Sequence, residues 1–313
     1  MLSIIIPTYN EAGNIKTAAD TILAITEAAN IDAELLFADD GSTDGSWEII
    51  KSLHQQNPSV RGIRFSRNFG KEGAIFAGLA NVSGDCALLI DCDLQHPPSL
   101  IPEMYRLWEE GAEIVAAVKS SRGRESVVYK AFAKMFYSLM KSSSKAVDLE
   151  NASDFKLLDR KVVDSLVELP ERLTFFRALS GWVGFKTVKI PFEVQERTVG
   201  TSKWSFTKLF KFALSNLTGF TSLPLSFITV AGIIYLVFSL VLGGQTLVNF
   251  FTDKAADGFT TVILLLLITG GFLMTGLGIL GYYLSKIYEE VKYRPRYIIS
   301  DTTPEPRLTD KNV

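Results

Sequence analysis

Two long uncharged stretches constrain this 313-residue chain more than any other feature. One runs from Phe212 to Thr252 and the other from Phe259 to Ser285, and neither contains Asp, Glu, Lys or Arg. Each is longer than the ~20 residues that cross the ~30 Å hydrocarbon core of a bilayer. They raise the mean hydropathy to +0.20 although 21% of the residues are charged. The sequence therefore predicts two transmembrane helices, at about 221–250 and 259–287.

The charges around these stretches predict their orientation. The loop between them holds Asp253, Lys254 and Asp257 and has no basic excess. The outer flanks are basic, with Lys203, Lys208 and Lys211 before and Lys286, Lys292, Arg294 and Arg296 after. By the positive-inside rule both flanks are cytoplasmic, so we expect a multi-pass protein of the plasma (inner) membrane. Glycines in the second stretch allow close packing within the hairpin or against a second copy in a homo-oligomer.

The first 120 residues alternate short apolar runs with segments of helical periodicity. "LSIIIPTY", "ELLFADD", "VRGIRFS" and "CALLIDCD" are predicted strands, and amphipathic segments such as "NIKTAADTILAITEAA" separate them. This alternation predicts an α/β fold with a doubly wound, mostly parallel sheet. The N-terminal run has no basic leader or cleavage site, so it is interpreted as the first strand. Residues 121–200 are less regular, with helices expected at 126–142 and 159–168 and two short strands near 183–196.

Acidic side chains follow two of the predicted strands. Asp39 and Asp40 end the second strand, and "LLIDCDLQHPPSL" runs an apolar strand into Asp91 and Asp93. Carboxylates are costly to bury, so a strand that ends in a pair of them usually presents them to a cation. The carboxyl ends of parallel strands meet at one edge of the sheet, where ligands bind. This pattern suits a nucleoside diphosphate with Mg²⁺ or Mn²⁺, ions that bind few protein ligands and complete their shell with phosphates.

Composition and missing motifs exclude other functions. The net charge of −2 gives no basic excess to meet a nucleic acid backbone. Cys86 and Cys92 lie in or beside an apolar strand and are interpreted as buried hydrophobic side chains. With His54 and His96 as its only histidines, the sequence offers no Ser/His/Asp set. His96 is interpreted as a turn residue beside the acidic pair, with metal ligation as the alternative. No P-loop or Gly-x-Gly-x-x-Gly motif follows the first strand.

Five motifs in order carry a family resemblance. They are "SIIIPTYNEAGNI", "DDGSTDGS", "RNFGKEGAIFAGL", "DCDLQHPP" and "SDFKLLDR". Together they resemble the inverting GT-A-type glycosyltransferases, and within them the polyprenyl-phosphate sugar synthases. The resemblance covers roughly residues 2–210, and the two C-terminal stretches are similar to those of the bacterial bactoprenol glucosyltransferases. It implies a GT-A catalytic domain at 1–200 before the hairpin at 221–290. Aromatic residues among lysines at 201–220 predict an amphipathic interface helix between them, and the cytoplasmic tail at 291–313 is polar and expected to be flexible after Ile299.

The resemblance also implies roles for individual residues. The nucleotide-binding residues would be Pro7, Tyr9, Asn10, Glu11, Asp39, Asp40, Lys71 and Asp91. The metal ligands would be Asp91, Asp93 and Gln95, and Asp93 would also be a catalytic residue together with Asp154. Asp154 resembles the residue taken as catalytic base, and Arg197 and Lys203 resemble a segment that closes over the phosphates.

The acceptor changes what the site needs. A lipid phosphate has a second pKa near ~6, so its attacking oxygen is already anionic at neutral pH. Asp154 can therefore orient a donor hydroxyl or an arginine instead of acting as a base. Placing this phosphate beside a sugar diphosphate requires cations. We assign Arg122 and Arg124 to the acceptor phosphate, and Arg197 and Lys203 to the segment over the phosphates. The alternative is that these residues are solvated surface charges.

The sequence thus predicts transfer of a sugar, most simply glucose from UDP-glucose, to a polyprenyl phosphate in the membrane. UDP-GlcNAc and GDP-mannose are alternative donors. A processive polysaccharide synthase is the first alternative function, but "QERTVGTSKW" lacks its Gln-x-x-Arg-Trp signature and two spans cannot enclose a polymer. A non-enzymatic scaffold that binds nucleotides or lipid phosphates is the second.

Overall fold

The computed structural model describes residues 1–119, 152–171, 175–192, 223–252 and 258–304. The chain divides into two compact units. The first comprises residues 1–205 together with 295–313, and the second comprises residues 206–294. The predicted interface helix at 201–220, the helix at 126–142 and the residues Arg122, Arg124, Arg197 and Lys203 lie outside the described residues.

The described strands all belong to one sheet of the first unit. They are β1 (Leu2–Thr8), β2 (Ala33–Asp39), β3 (Val60–Phe65), β4 (Cys86–Leu89), β5 (Ile114–Lys119), β6 (Ala152–Asp159), β7 (Thr187–Phe192) and β8 (Ile299–Thr302). Their spatial order is β7-β5-β6-β4-β1-β2-β3-β8. The neighbouring strands β4, β1, β2 and β3 are parallel, and β6 and β8 run antiparallel to their neighbours. The predicted α/β class with a mostly parallel sheet is confirmed.

Helices separate most of these strands. In the first unit they are α1 (Ala12–Ala28), α2 (Ser46–Gln56), α3 (Lys71–Ala80), α4 (Ile101–Glu109), α5 (Arg160–Glu168) and α6 (Phe176–Trp182). The apolar residues whose helical periodicity predicted α1 form its buried face. Ile15, Ala18, Ala19 and Ile22 are fully buried. The central strands are buried on both faces, as helices on both sides of a parallel sheet require. Ile4, Ile5 and Ile6 accordingly have no exposed surface.

The second half of the first unit contains one strand that the sequence analysis did not predict. The motif "SDFKLLDR" forms an antiparallel strand, β6, between β4 and β5. Of the two short strands expected near 183–196, β7 lies at Thr187–Phe192, and residues 193–196 lie outside the described residues. The helix expected at 159–168 is present as α5, and the Asp159 side chain caps its first turn by accepting from the Lys161 N–H.

The tail was predicted to be flexible after Ile299, but its described residues, up to 304, begin with a strand of the sheet. Strand β8 pairs antiparallel with β3, and the Thr303 N–H donates to the Gly62 carbonyl at 2.9 Å. Trp47 Nε1 donates to Asp301 Oδ2 at 3.0 Å. The Tyr297 ring stacks on Phe65 with ring centroids 5.3 Å apart. The chain therefore returns to the catalytic domain after the hairpin and covers the edge of β3.

The second unit contains the two predicted apolar helices. They are α7 (Leu223–Phe251) and α8 (Phe259–Val291), and their apolar windows, Leu225–Thr246 and Ile268–Val291, are long enough to cross a membrane. Within this unit the Tyr235 hydroxyl hydrogen-bonds the Thr269 hydroxyl, and its ring stacks on Phe272. These contacts hold the two helices together.

Candidate active site

The loop after β1 is organised by the loop after β2. Asn10 has a left-handed backbone (φ 54°), and its side-chain oxygen accepts from the Thr43 N–H at 2.9 Å. The Ala12 N–H, at the start of α1, donates to Asp44 Oδ2 at 3.0 Å. The Glu11 side chain, at the N-cap position of α1, accepts no capping hydrogen bond, and the Asp44 carboxylate accepts one instead. The polar residues of "GSTDGS" therefore shape the first loop of the site.

The two aspartates at the end of β2 have different surroundings. Asp39 is fully buried, accepts from the Ser42 N–H at 3.0 Å and lies 3.5 Å from Arg64 Nε. Asp40 accepts the N–H groups of Phe69 and Gly70 at 2.6 and 2.9 Å, which fixes the loop that leads into α3. Burial raises the pKa of both carboxyls.

Gly41, which directly follows these two aspartates, has to be a glycine because it packs against the backbone of Arg67. Gly41 has φ +71°, and a Cβ there would lie 2.7 Å from the Arg67 backbone carbonyl carbon. No other residue fits this backbone without moving the loop.

The acidic pair after β4 occupies a tight turn. The Leu94 N–H donates to the Asp91 carbonyl at 3.3 Å, and Leu94 has a left-handed backbone with φ 54°. Such a conformation is unfavourable for a leucine and is typical of strained functional turns. The backbone N–H of Gln95 donates to Asp93 Oδ1 at 3.1 Å. The turn therefore holds the Asp93 carboxylate in place.

The loops after β1, β2 and β4 surround an open cavity of about 220 Å³. Its lining residues are Pro7, Thr8, Tyr9, Glu11, Asp40, Lys71, Ala74, Asp91, Cys92 and Asp93. Six of these were predicted nucleotide-binding residues, and two, Asp91 and Asp93, were predicted metal ligands, with Asp91 in both sets. The structure therefore brings most of the predicted set together. Asn10 and Asp39 are not lining residues but accept hydrogen bonds from the loop after β2, and the Gln95 backbone N–H donates to Asp93.

Lys71 and Asp154 join the cavity to a second group of charges. Lys71 Nζ lies 2.6 Å from Asp91 Oδ1 and 2.8 Å from Asp154 Oδ2. Arg177, from α6, donates through Nε and Nη2 to the two oxygens of Asp154 at 2.7 and 2.8 Å. Burial alone would raise the pKa of Asp154, but Lys71 and Arg177 hold it well below its usual range. Asp154 is therefore a fixed anion that aligns two cations.

Two more titratable groups adjoin this network, the partly exposed Glu72 and the buried Lys156. Glu72 accepts the backbone N–H of Phe176 at 2.8 Å, and burial raises its pKa to about 7. Lys156 lies two residues after Asp154 on β6 and donates to the Ser180 hydroxyl at 2.6 Å. Burial lowers the pKa of Lys156 to about 8.

The histidine and the cysteines near the acidic pair are buried. His96 stacks on Phe155 with ring centroids 5.3 Å apart, and its Nδ1 lies 3.8 Å from Asp91 Oδ2. Burial lowers its pKa, which favours the neutral ring. Cys86 and Cys92 are both buried free thiols, as expected, and burial raises the pKa of Cys86 to about 12.

Sequence reasoning missed Arg177 and Glu72. A signal for Arg177 was present, because it is the only charged residue between Arg172 and Lys186. A lone cation in an otherwise apolar segment needs an anionic partner. Its partner, Asp154, is on another element, so the sequence could not identify the pair.

Comparisons with known proteins identify the family. The glycosyl transferase family 2 model matches residues 3–167. An uncharacterised glycosyltransferase of Synechocystis sp. is 37% identical over 96% of this chain and 95% of its own length. The SfII prophage-derived bactoprenol glucosyl transferase of Shigella flexneri is 36% identical over 95% of this chain and 97% of its own length.

Among solved structures, glucosyl-3-phosphoglycerate synthase from Mycobacterium tuberculosis, in complex with Mn²⁺, UDP-glucose and phosphoglyceric acid, is 23% identical with a TM-score of 0.46. The match covers 68% of this chain and 76% of that one. The family model and the two sequence relatives agree with the motifs and with the mostly parallel sheet. The chain is therefore a glycosyltransferase with a GT-A-type α/β domain, and it belongs to glycosyl transferase family 2.

Proposed function

We propose that this enzyme transfers a sugar, most simply glucose, from a UDP-sugar to polyprenyl phosphate in the membrane, with inversion at the anomeric carbon. One observation carries the proposal. The cavity at the carboxyl edge of the sheet is lined by the acidic pair and Lys71, in a chain similar over nearly its whole length to a bactoprenol glucosyl transferase. The two apolar helices suit an acceptor that stays in the bilayer.

The donor set at the cavity fits a divalent cation. Asp91 and Asp93 offer carboxylate oxygens from one turn. Among the described residues, no three His, Cys, Asp or Glu side chains converge to hold a metal by themselves. Mg²⁺ and Mn²⁺ commonly bind one or two carboxylates and complete their shell with substrate phosphates. When bound, the metal neutralises charge on the diphosphate leaving group.

The remaining chemistry falls to the chain's own side chains. A phosphate oxygen of the acceptor bonds to the anomeric carbon, and the bond from that carbon to the UDP oxygen breaks with its electron pair leaving on UDP. In-line attack gives a β-linked polyprenyl-phosphate sugar from an α-linked donor. Asp154 serves this step as a positioning residue for Lys71 and Arg177, since its carboxylate is already paired with both cations. A group with so low a pKa is a poor proton acceptor at neutral pH.

The same proposal places the enzyme in the plasma (inner) membrane with its catalytic domain in the cytoplasm. Basic residues flank the hairpin on both outer sides, including Lys286 near the end of α8 and Lys292 and Arg294 after it. The connecting loop has no basic excess. UDP-sugars are then available on the side where the catalytic domain lies.

The test is an assay of purified full-length enzyme with UDP-glucose, undecaprenyl phosphate and Mg²⁺ or Mn²⁺. We expect UDP release that depends on both the lipid and the metal, and one sugar per lipid in the product. A panel with UDP-GlcNAc and GDP-mannose identifies the donor. Transfer without lipid, or growth of a polymer as in a processive synthase, contradicts the proposal, and so does nucleotide binding without turnover.

A further inference from the structure

Two anions must approach each other in the proposed reaction. The acceptor phosphate carries up to two negative charges near neutral pH, and the donor diphosphate is also anionic. Their repulsion has to be offset by cations that the protein holds in place before the reaction. Within the described part of the chain, two cations meet at Asp154: Lys71 and Arg177.

These two cations differ in their relation to the cavity. Lys71 lines the cavity and contacts Asp91 of the acidic pair, whereas Arg177 is not among the lining residues. Lys71 and Arg177 bind the same carboxylate, with Arg177 engaging both of its oxygens. Arg177 therefore extends the cationic surface past the nucleotide pocket, which suits a second anion better than the donor.

Two hydrogen bonds orient the guanidinium of Arg177, and within the described residues it has further donors without a partner. Two of its five N–H groups bind Asp154, whose side chain is only 9% exposed, while the Arg177 side chain is 39% exposed. Such a two-point contact fixes the plane of the guanidinium. The remaining N–H groups are suited to phosphate oxygens, which arginine commonly binds at two points.

The surroundings of Arg177 favour an anionic ligand. Glu72 accepts the N–H of Phe176 and so fixes the residue immediately before Arg177. Lys156 is a second buried cation beside α6, and its hydrogen-bond partner is the neutral hydroxyl of Ser180. Asp154 attracts Lys156 and Arg177 repels it, so Lys156 adds positive charge close to the Asp154–Arg177 pair.

We propose that Arg177 binds the phosphate of the polyprenyl phosphate acceptor, aligned for this by Asp154. The assignment rests on the proposed function and adds to it a residue that contacts the acceptor. If Arg177 served only as a structural partner of Asp154, its loss would disturb the nucleotide cavity through Lys71 as much as it disturbs acceptor binding.

The kinetic test uses Arg177→Gln and Arg177→Lys in the full-length enzyme, with Arg106→Gln as a charge-matched control on the exposed face of α4. Farnesyl phosphate in detergent serves as the acceptor and UDP-glucose as the donor.

For Arg177→Gln we expect the KM for farnesyl phosphate to rise about tenfold or more, since a charge-assisted contact is lost. The Kd for UDP should change less than about twofold, Arg177→Lys should be intermediate, and Arg106→Gln should match wild type. An unchanged acceptor KM, or a parallel rise in the Kd for UDP, overturns the proposal.

A footprint on the unmodified protein removes any dependence on folding of the variants. Phenylglyoxal labelling of Arg177, mapped by mass spectrometry, should be suppressed by farnesyl phosphate but not by UDP with Mg²⁺. Equal protection by inorganic phosphate at the same concentration would show that the lipid contributes nothing to the contact. Absence of protection by farnesyl phosphate overturns the assignment. Because the footprint needs no turnover, it separates this proposal from the proposed function, which fails when wild type shows no lipid-dependent UDP release.

Discussion

Individual residues of the site differ in how far the sequence revealed them. Asp91 and Asp93 could be placed because an apolar strand ending in two carboxylates is a local pattern. The function of Asp154 could not be settled from its motif, because it depends on two cations from other elements. Arg177 was missed for the same reason. Local sequence identifies which chemistry is present, but contacts between distant elements decide what each group does.

Asp154→Asn should lower kcat/KM by about 100-fold or more, because a neutral amide cannot hold Lys71 and Arg177 in alignment. Asp164→Asn, an exposed position on α5, is the matched control. The pH–rate profile distinguishes a positioning carboxylate from a base. We expect the residual activity of Asp154→Asn to keep the acid limb of the wild-type profile, set by acceptor ionisation near ~6. Loss or displacement of that limb would show that Asp154 accepts the proton.

Glu72 should make stability depend on pH. Its pKa rises from an ordinary value of 4.5 to about 7 in the folded protein, because burial disfavours its charge. The folded state therefore holds a proton that the unfolded chain has released, and stability falls as pH rises from about 4.5 to 7. The loss is complete above that window and amounts to about 1–3 kcal/mol.

Thermal unfolding of Glu72→Gln tests this linkage. The glutamine can still accept the Phe176 N–H but carries no charge, so its Tm should exceed that of wild type by a few degrees at pH 8 and match it at pH 5. Glu109→Gln, at an exposed position of α4, should show no such difference between the two pH values. A Tm for Glu72→Gln that is lower than wild type at both pH values would rule out the burial penalty.

At the scale of elements, the sequence predicted the long parallel part of the sheet and failed on its antiparallel additions. Strands β1, β2 and β4 are apolar runs with clear boundaries, so periodicity and turn residues locate them. Strand β8 has four residues, three of them exposed, and carries no hydrophobic signal. It forms because β3 offers an open edge and Trp47 offers an indole N–H. Both partners are more than 230 residues away in sequence.

Asp301→Ala tests the contribution of β8. Removing the acceptor leaves the partly buried indole N–H of Trp47 without its hydrogen bond, which costs about 1–3 kcal/mol. We expect the Tm of the catalytic domain to fall by several degrees. The control is Asp164→Ala, which removes only an exposed ion pair with Arg160 and should have little effect. Equal Tm values for the two variants would mean that β8 adds no stability.

In the molecule as a whole, the segment that contains the apolar helices α7 and α8 is an insertion in the first unit. Residues 295–304 return to the sheet, so the catalytic unit is built from both ends of the chain. The sequence predicted both apolar helices, because each uncharged stretch is longer than the ~20 residues that cross a bilayer. It could not show that the segment after the hairpin completes the fold, since that segment looks like an ordinary polar tail. The catalytic unit and the hairpin therefore cannot be separated by a single truncation.

Two variants of the whole chain distinguish these roles. A chain ending at residue 205 lacks β8, so we expect it to unfold at a lower temperature than a chain in which a flexible Gly/Ser linker replaces 206–294. The linker variant keeps both parts of the first unit and should bind UDP about as well as the full-length enzyme. It should glycosylate farnesyl phosphate in solution but not undecaprenyl phosphate in vesicles, because only the hairpin brings the site to the bilayer. Full activity of the linker variant on vesicles would show that the hairpin is dispensable for acceptor access. Equal Tm values for the linker variant and the chain ending at residue 205 would show that the segment after the hairpin does not stabilise the catalytic fold.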